Sequence, residues 1–498
     1  MSAAQKELFF ERMEAQELAL TYDDVRIRTR SNQHEPLPDI LSIESQFSTN
    51  VELKVPFVSA AMDTVTNSDM AIAMAKLGGL GVIHAAMSID TQRQEVRRVK
   101  KAVHGLIDKP ITVSPYDTLQ DVETMREENQ FTFRTFPVID KQGKLVGVIT
   151  GNDFEYPDNL GVKVGEAMKP VGEVSVASRK TSLQEGYELM QARKINTLPL
   201  LTKSGKLKGM YLFSDVKRAI RDVNNYNVDD NHQLRTAAAV STGKDVMERV
   251  EALYKYADVI VIDTADGDSY YAFETLRKIK QKYPDLDVVV GNISDGDSAR
   301  ELAVAGANGI KVGQGPGSIC STRRETGIGM PQVTAVWDAK KALGKKFAHI
   351  PVCADGGITQ HGDIPIAIAA RADAVMMGSK LAGTAEAPGK IIKLKNGTLV
   401  KVYRGMGSES ALRDNEASRD RYGTKGGGKI LPEGIEAYVP YVGSVEDVIG
   451  LCAAALRKGM SYAKSVDLAD HQENARFKRI TGSGLRESHP HDVEVIAA

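Results

Sequence analysis

The sequence predicts an α/β fold, a TIM (β/α)8 barrel interrupted by a second, inserted domain. Two observations carry this prediction. Eight short β-rich segments recur along the 498 residues, and each is followed by a loop and a helix-like stretch. Between the second and third segments lies an insertion, about residues 101–222, which breaks this pattern and is long enough for a domain of its own. We therefore expect residues 1–100 and 223–498 to form the barrel.

The predicted strands are mostly runs of valine, isoleucine and alanine without polar alternation. Parallel strands that are covered on both faces have this composition. An eight-fold repeat of strand and helix is typical of a closed barrel. The predicted strands are 54–59, 80–83, 236–240, 258–262, 287–290, 309–312, 350–354 and 372–377.

The insertion contains an internal repeat, about 103–160 and 165–222. Each copy has a helical stretch before a hairpin, which turns at Gly143 in the first copy and at Gly205 in the second. We therefore expect two similar α+β units that pack as a pseudo-symmetric pair. The matching positions are 136–147 with 198–209, and Asp153 with Asp215.

The composition excludes several classes of protein. Lys and Arg number 64 against 65 Asp and Glu, so the chain has no overall basic field that would favour nucleic acid. The three cysteines are widely spaced, which favours a reducing compartment over a disulfide framework. Residues 1–16 lack the apolar core of a secretory signal, and no apolar run approaches membrane-spanning length. We expect a cytoplasmic protein with no membrane association and no specific nucleic-acid partner.

A cysteine follows the sixth predicted strand on a glycine-rich loop, 315–323 (GPGSICSTR). Glycines let the backbone approach a ligand closely and point N–H groups at an anion, and Ser318 adds a hydroxyl donor. The positive charge of Arg323 favours the thiolate form of Cys320, which is the nucleophilic form. The loop therefore predicts a nucleophile beside an anion-binding site, with a small buried cysteine in a turn as the alternative.

Two further strand ends are rich in glycine. The seventh predicted strand ends in Asp355-Gly356-Gly357 and the eighth in Gly378-Ser379, at the two loops that most often form the phosphate site of a barrel. Asp355 carries only acceptor atoms when ionised, so it suits the two hydroxyls of a ribose, although a helix N-cap is the alternative role. These loops predict a site for a nucleoside monophosphate.

Other polar residues follow the fourth and fifth predicted strands, where Asp263 and Asn292 would face the same barrel mouth. They suit a second ligand, although Asp and Asn are also common in plain turns. A long glycine-rich polar segment, about 404–438, follows the eighth strand. A loop of this length is often a mobile lid over an active site, with simple disorder as the alternative.

Four motifs together resemble those of the IMP dehydrogenase / GMP reductase family, and within it the inosine 5'-monophosphate (IMP) dehydrogenases. They are 59–63 (SAAMD), 315–323 (GPGSICSTR), 354–358 (ADGGI) and 403–408 (YRGMGS). The resemblance covers nearly the whole chain, because the order of the motifs, the place of the insertion and the ending 482–489 (GSGLRESH) also agree. The inserted repeat resembles a tandem CBS (Bateman) module.

The resemblance implies oxidation of IMP to xanthosine 5'-monophosphate (XMP) with NAD, in guanine nucleotide biosynthesis. Cys320 would attack C2 of the purine, a hydride would pass to NAD, and the covalent thioimidate would be hydrolysed after the lid moves. Arg421 would activate the water beside Tyr422, with Thr322 and Glu433 in support. Arg419 lies close enough in the sequence to compete for this role, and the Tyr422 that follows Arg421 favours Arg421.

The resemblance also implies the residues that bind each ligand. The mononucleotide site would contain Ser59, Met62, Ser318, Asp355, Gly356, Gly357, Gly378, Ser379, Tyr403, Arg404, Gly405, Met406, Gly407 and Glu433. NAD would face Asp263, Asn292, Gly313 and Arg323. A potassium ion would be held by the backbone carbonyls of Gly315, Gly317 and Cys320, with Glu487, Ser488 and His489 contributed by a neighbouring subunit. A homotetramer is implied, with ATP or GTP as possible regulatory ligands of the CBS pair.

Three alternatives stay open at this point. GMP reductase shares the cysteine, the threonine and the lid glutamate, but it uses NADPH, releases ammonia and generally lacks the Arg-Tyr pair found here as Arg421-Tyr422. A nucleotide-sensing scaffold with an inactive barrel would not need Cys320. Cofactor recognition could also differ in detail, because Asp266 and Asp268 stand where many relatives carry histidines.

Overall fold

The computed structural model describes residues 2–30, 37–102, 106–107, 110–128, 131, 133–155, 160–221, 225–422 and 431–493. The chain divides into two compact units. The larger unit contains Met1–Ala102, Asn225–Asp229 and Leu234–Ala498, and the smaller contains Val103–Asn224 and Asp230–Gln233. In the described part of the chain, the helices are all too short or too polar to cross a membrane.

The larger unit holds a closed barrel of parallel strands, which confirms the predicted fold class. Most of these strands are buried along their whole length, because helices cover one face and the barrel core the other. Each predicted strand lies within three residues of an observed one at both ends. The strands are β1 Phe57–Ser59, β2 Leu80–Ile83, β3 Ala237–Val240, β4 Val259–Asp263, β5 Asp287–Ile293, β6 Gly309–Val312, β7 Val352–Asp355 and β8 Ala374–Met377.

The barrel closes between β2 and β3, where Val82 lies opposite Ala237. A hairpin of Ser45–Ser48 and Val51–Leu53 packs apolar side chains into the same core cluster as the strands. The N–H of Thr49 in this hairpin donates to the carbonyl that precedes β6, so the hairpin covers the amino ends of the strands. The polar side chains that follow the strands gather at the opposite, carboxyl ends.

Helices alternate with the strands and surround the barrel. Polar residues begin many of them: the side chain of Asn67, for example, accepts from the N–H groups of Asp69 and Met70. The helices of the larger unit are Ser2–Glu14, Ser68–Lys76, Ile89–Lys101, Val246–Leu253, Tyr270–Lys282, Gly296–Val304, Thr322–Thr326, Gln332–Leu343, Asp363–Ala369, Ser379–Ala382, Glu409–Asp414, Glu416–Arg421, Val445–Ala463, Leu468–Asn474 and Gly482–Glu487. Its short 3-10 helices are Tyr22–Asp24 and Pro38–Ile40, and its strands outside the barrel pair Val25–Arg28 with Arg476–Arg479 and Leu399–Arg404 with Ile392–Lys393 and Glu436–Pro440.

The smaller unit contains two sheets and two apolar clusters, one for each copy of the sequence repeat. The hairpin turns contact each other reciprocally: Leu145 N–H donates to Gly205 O and Leu207 N–H donates to Gly143 O, both at 3.1 Å. Its strands are Leu106–Ile107, Phe136–Ile139, Leu145–Ile149, Lys169–Pro170, Ala177–Ser178, Thr197–Leu201 and Leu207–Leu212. Its helices are Leu119–Glu128, Gly151–Glu155, Val164–Ala167, Leu183–Arg193 and Phe213–Arg221, with a 3-10 helix at Val171–Glu173.

A buried histidine fixes the helix Leu468–Asn474 against the barrel. Nε2 of His471 lies 3.1 Å from the carbonyl oxygen of Pro365, and Nδ1 lies 3.1 Å from the hydroxyl of Ser465. A carbonyl can only accept, so Nε2 carries the hydrogen and Nδ1 accepts from the Ser465 hydroxyl. This arrangement needs a neutral ring, and burial lowers the pKa of His471 to about 4.

We expect the protein to lose stability on acidification through His471. Its pKa is about 4 when folded and 6.5 for an unperturbed histidine, so the unfolded chain binds the proton more tightly and the stabilisation is lost as the pH falls from 6.5 toward 4. The difference corresponds to about 3 kcal/mol at the acid end. Urea unfolding at pH 7 and pH 5 should show a smaller loss in a His471→Asn variant than in the unchanged protein. Equal losses in the two proteins would contradict this assignment.

Candidate active site

A cavity of about 850 Å³ lies at the carboxyl ends of the barrel strands. Loops that are far apart in the sequence meet there, because the barrel brings the ends of all its strands to one face. The sequence-predicted site residues that line it are Met62, Asp263, Asn292, Gly313, Gly315, Gly317, Ser318, Cys320, Asp355, Gly356, Gly357, Gly378, Ser379, Tyr403, Gly405, Met406, Arg421, Tyr422 and Glu433.

Cys320 lies on the loop between β6 and the helix Thr322–Thr326. Its N–H donates to the carbonyl of Gly317 at 3.0 Å, which closes a tight turn. Its sulfur is partly buried and lies 3.2 Å from the hydroxyl of Thr322. The thiol therefore faces the cavity with a hydroxyl beside it that can exchange a hydrogen bond with the sulfur.

The other two cysteines are in a different environment. Cys353 lies inside the barrel core on β7, and Cys452 lies in the helix Val445–Ala463 with its side chain buried. Burial raises the pKa of the Cys353 thiol well above its usual range and raises the pKa of Cys452 to about 11. Both are structural thiols, because a thiol in apolar surroundings is not readily ionised.

The glycine turn after β7 forms one side of the cavity against the cysteine loop. Gly356 and Gly357 have φ of 87° and 78°, which side-chain-bearing residues rarely adopt. A Cβ atom at Gly356 would lie 3.3 Å from the backbone nitrogen of Gly317. The turn thus allows two backbone segments to approach closely and leaves an unobstructed cradle for a ligand.

Tyr403 reaches the cavity from the strand Leu399–Arg404. Its hydroxyl lies 3.6 Å from the sulfur of Met62, and a Cβ atom at Gly378 would lie only 2.5 Å from it. Burial, followed by the nearby Asp355 and Cys320, raises the pKa of Tyr403 well above its usual range. Its hydroxyl therefore stays protonated and can donate at neutral pH.

A buried lysine joins the polar residues of the cavity floor. Nζ of Lys311 on β6 lies 2.9 Å from Asp263 and 2.8 Å from Asp355, and it also contacts the side-chain oxygen of Asn292. Asn292 in turn donates to Asp355 at 2.9 Å. Lys311 is 1 % exposed, so its charge is balanced within the protein and not by solvent.

The segment predicted to be a lid, 404–438, contributes Arg421 and Tyr422 to the cavity. The guanidinium of Arg421 forms an ion pair with Asp263, and the N–H of Ala265 donates to the carbonyl of Arg421 at 3.0 Å. The side chain of Tyr422 is largely enclosed, and burial raises the pKa of its hydroxyl. Arg419 instead donates to carbonyls of the preceding lid helix at 3.0 Å.

The second half of the predicted lid segment is hydrogen-bonded to the cysteine loop. The N–H of Ser321 donates to the carbonyl of Glu433 at 2.9 Å, and the N–H of Glu433 donates to Gly407 at 3.0 Å. Gly434 forms a β-bridge with Cys320. Of the predicted lid at 404–438, residues 423–430 lie outside the described residues.

Several predicted site residues do not line this cavity. Ser59 is fully buried and its hydroxyl accepts from Thr66 at 2.9 Å, and the guanidinium of Arg404 pairs with Asp63 and Asp414. Arg323 donates to the carbonyl of Gln314 at 2.8 Å and supports the cysteine loop from behind. Gly407 packs against Tyr422, and Thr322 lines a neighbouring cavity. Glu487, Ser488 and His489 are exposed.

A second cavity of about 1390 Å³ adjoins the first and shares Arg421, Tyr422 and Glu433 with it. Asp266 and Asp268 also line it. Burial raises the pKa of Asp268, and the neighbouring carboxylates Asp295, Glu301 and Asp266 add to the effect. The two cavities therefore meet at Arg421, Tyr422 and Glu433.

Sequence reasoning missed Lys311. The signal was present, since a lysine inside a short, otherwise apolar parallel strand must be buried and paired. Asn292 also lies within β5, which extends to Ile293, and not in the loop where it was expected. Its side chain nevertheless reaches the cavity.

Three comparisons with known proteins all match the chain to IMP dehydrogenases and GMP reductases. The family model described as "IMP dehydrogenase / GMP reductase domain" matches residues 19–491. The chain is 41 % identical to inosine-5'-monophosphate dehydrogenase of Halalkalibacterium halodurans over 96 % of this chain and 97 % of that one, and 41 % identical to the Bacillus subtilis enzyme over 96 % of each. A solved structure of a cysteine-to-alanine variant of GMP reductase from Trypanosoma brucei, in complex with guanosine 5'-monophosphate, is similar with a TM-score of 0.85 and 34 % identity, over 97 % of this chain and 100 % of that one.

Proposed function

The chain belongs to the IMP dehydrogenase / GMP reductase family as an IMP dehydrogenase oxidoreductase, and on that premise we propose that it oxidises IMP to XMP with NAD, through a covalent bond to Cys320. This reaction supplies guanine nucleotide synthesis. One observation carries the proposal most directly: the sulfur of Cys320 and the guanidinium of Arg421 face one cavity, although they come from a strand-end loop and from the lid. A nucleophile and a hydrolytic group are both needed for a covalent oxidation that ends in water attack.

IMP would bind between the glycine turns and the cysteine loop. The backbone of Gly356, Gly357 and Gly378 and the hydroxyls of Ser318 and Ser379 would receive the phosphate. Asp355 would accept from the ribose hydroxyls, since an ionised carboxylate has only acceptor sites. This seat would place the purine beside the sulfur of Cys320. Met62, Gly405 and Met406 would complete the binding site.

In the first step, the Cys320 sulfur would bond to C2 of IMP while a hydride leaves C2. NAD, when bound, supplies the hydride acceptor. The observed polar and enclosed surroundings of Asp263 and Asn292 fit a nicotinamide ribose, whose hydroxyls need such acceptors and donors. The hydroxyl of Thr322 lies 3.2 Å from this sulfur and would exchange a hydrogen bond with it during the step.

In the second step, water would add to C2 and the carbon–sulfur bond would break, so that XMP and the free thiol of Cys320 are formed. The net reaction consumes IMP, NAD and water and yields XMP, NADH and a proton. Arg421 lines the same cavity as Cys320, and its side chain would activate this water. Tyr422 and Glu433 line the same cavity and would orient that water.

We also propose that the protein binds a potassium ion, forms a homotetramer and binds a regulatory nucleotide. The carbonyls of Gly315, Gly317 and Cys320 are hard oxygen donors on one loop, which is the donor type that an alkali cation takes. Glu487, Ser488 and His489 of a second copy would complete such a site. The paired repeat of the smaller unit would act as a CBS module that binds ATP or GTP.

We expect the purified protein to form NADH, measured by absorbance, when IMP and NAD are supplied together. Formation should require both compounds, and XMP should appear in equal amount. Failure to reduce NAD at saturating IMP would contradict the proposed reaction. Omission of potassium should lower the rate if the cysteine-loop carbonyls bind that ion.

A second candidate, reduction of GMP to IMP with NADPH and release of ammonia, is favoured by the similarity to the Trypanosoma brucei reductase structure. Against it stands the Arg421-Tyr422 pair in the cavity, since a reductase needs no water-activating arginine. The same preparation should therefore not oxidise NADPH with GMP. Rapid NADPH oxidation with release of ammonia would select the reductase instead.

A further inference from the structure

The most enclosed charged group of the active-site cavity is Lys311, to which the proposed reaction assigns no step. It lies on β6, and its Nζ carries three hydrogens that are directed at three acceptors, namely Asp263 at 2.9 Å, Asp355 at 2.8 Å and Asn292. A lysine ammonium has three donors and no acceptor, so this set uses all of them. At 1 % exposure, water cannot replace a lost partner.

The two carboxylates bound to Lys311 belong to different parts of the site. Asp355 ends β7 beside the glycine turn proposed to hold the nucleotide. Asp263 ends β4 and pairs through its other oxygen with Arg421 of the lid. Asp355, Lys311, Asp263 and Arg421 therefore form one continuous chain of alternating charge from the nucleotide side to the lid.

We infer that Lys311 is a positioning residue that couples nucleotide binding at Asp355 to cofactor and lid binding at Asp263. This inference rests on the proposed function of the site. A single ammonium shared by two carboxylates fixes the direction of both side chains and offsets the repulsion between them in a buried cavity. A change in the charge of one carboxylate therefore changes the strength and direction of the hydrogen bond that Lys311 donates to the other.

The first test replaces Lys311 with methionine, which keeps the volume and removes the charge. Calorimetry with IMP and steady-state kinetics with NAD should show that Kd for IMP and KM for NAD both rise by roughly tenfold or more, because both carboxylates lose a charged hydrogen bond. Lys311→Arg, which restores the charge, should recover part of both affinities. A merely structural lysine would reduce the amount of active protein and leave the Kd and KM of that protein unchanged.

Lys340 provides the matched control. It is also a mostly buried lysine paired with a carboxylate, Asp373 at 2.7 Å, but it lies on the helix Gln332–Leu343 outside the cavity. Lys340→Met should lower the melting temperature and leave both affinities within twofold. Equal effects of the two substitutions on Kd and KM would overturn the inference, as would a change in only one of the two ligands for Lys311→Met.

A second variant tests the coupling even if Lys311→Met does not fold. In Asp263→Asn, Lys311 loses one charged partner and no longer holds Asp355 in the same direction, so Kd for IMP should rise at least threefold although Asp263 is not among the residues proposed to bind the nucleotide. An unchanged Kd would overturn the coupling. Calorimetry is run with IMP and with GMP and needs no turnover, so a failure of the proposed reaction remains distinguishable from a failure of this inference.

Discussion

Replacement of Cys320 by alanine is expected to abolish NADH formation, with a loss of at least about 10⁴-fold in kcat, because no other described group in the cavity offers a nucleophile at that position. IMP should still bind with a Kd within about threefold of the unchanged protein, since the proposed seat for the phosphate and ribose is formed by Asp355 and backbone glycines. Calorimetry and the absorbance assay together measure both quantities. In the unchanged protein, IMP and NAD should also yield a mass increase on Cys320 in acid-quenched samples.

Cys452→Ala is the control for this substitution. Cys452 is buried in the helix Val445–Ala463 and does not line the cavity, and its replacement also removes one thiol group. It should retain kcat and lose only a modest amount of stability. Turnover by Cys320→Ala within tenfold of the unchanged protein would contradict covalent catalysis and would favour the nucleotide-sensing scaffold.

Replacement of Arg421 by glutamine is expected to separate the two chemical steps. The first turnover should still release NADH in a rapid burst, because Cys320 and Thr322 are intact. The steady-state rate should then fall by about 10²- to 10⁴-fold, the usual contribution of a group that activates water. Stopped-flow absorbance resolves the burst from the slow phase, and acid quenching should trap the covalent adduct in nearly every active site.

The charge-matched control for Arg421 is Arg413→Gln on the same lid. Arg413 is 70 % exposed and pairs with Glu409 on the protein surface, so its loss should change the rate by less than about twofold. Arg419 is less suitable, because it holds the carbonyl ends of a lid helix. A burst that disappears together with the steady-state rate in Arg421→Gln would place Arg421 in the first step and contradict its assignment to hydrolysis.

The barrel could be predicted from the sequence because its strands are short apolar runs between polar loops. The segments 80–83 and 309–312 coincide with β2 and β6, since glycine and helix signals bound them on both sides. The cavity residues at the strand ends followed from one rule, that the carboxyl ends of barrel strands converge, whereas those of 403–433 were implied only by the family resemblance. That rule places Cys320, Asp355 and Asp263 together without any knowledge of their distances.

Side-chain direction was less predictable than position. The backbone of residues 403–408 lies where the motif indicated, but the guanidinium of Arg404 turns to Asp63 and Asp414, away from the cavity. Ser59 ends β1 as expected and then uses its hydroxyl on Thr66. A strand-end residue can face the cavity or the covering layer, and only the packing of its neighbours decides between them.

Lys311 was missed as a site residue for a different reason. Its neighbours on β6 are apolar, so the strand alone indicates that the lysine is buried and paired but not which residues pair with it. The partners that make a buried ammonium tolerable lie on β4, β5 and β7, and no local pattern on one strand contains that information.

The distribution of the three thiols has a practical consequence. Cys353 and Cys452 are shielded and resist ionisation, whereas Cys320 is partly open to solvent. A chromogenic disulfide added to the native protein should therefore release one equivalent of dye per chain quickly, and IMP should block that release. The same stoichiometry provides a direct titre of functional molecules in any preparation and a unique attachment point for a fluorescent reporter, with no need to engineer a cysteine-free background.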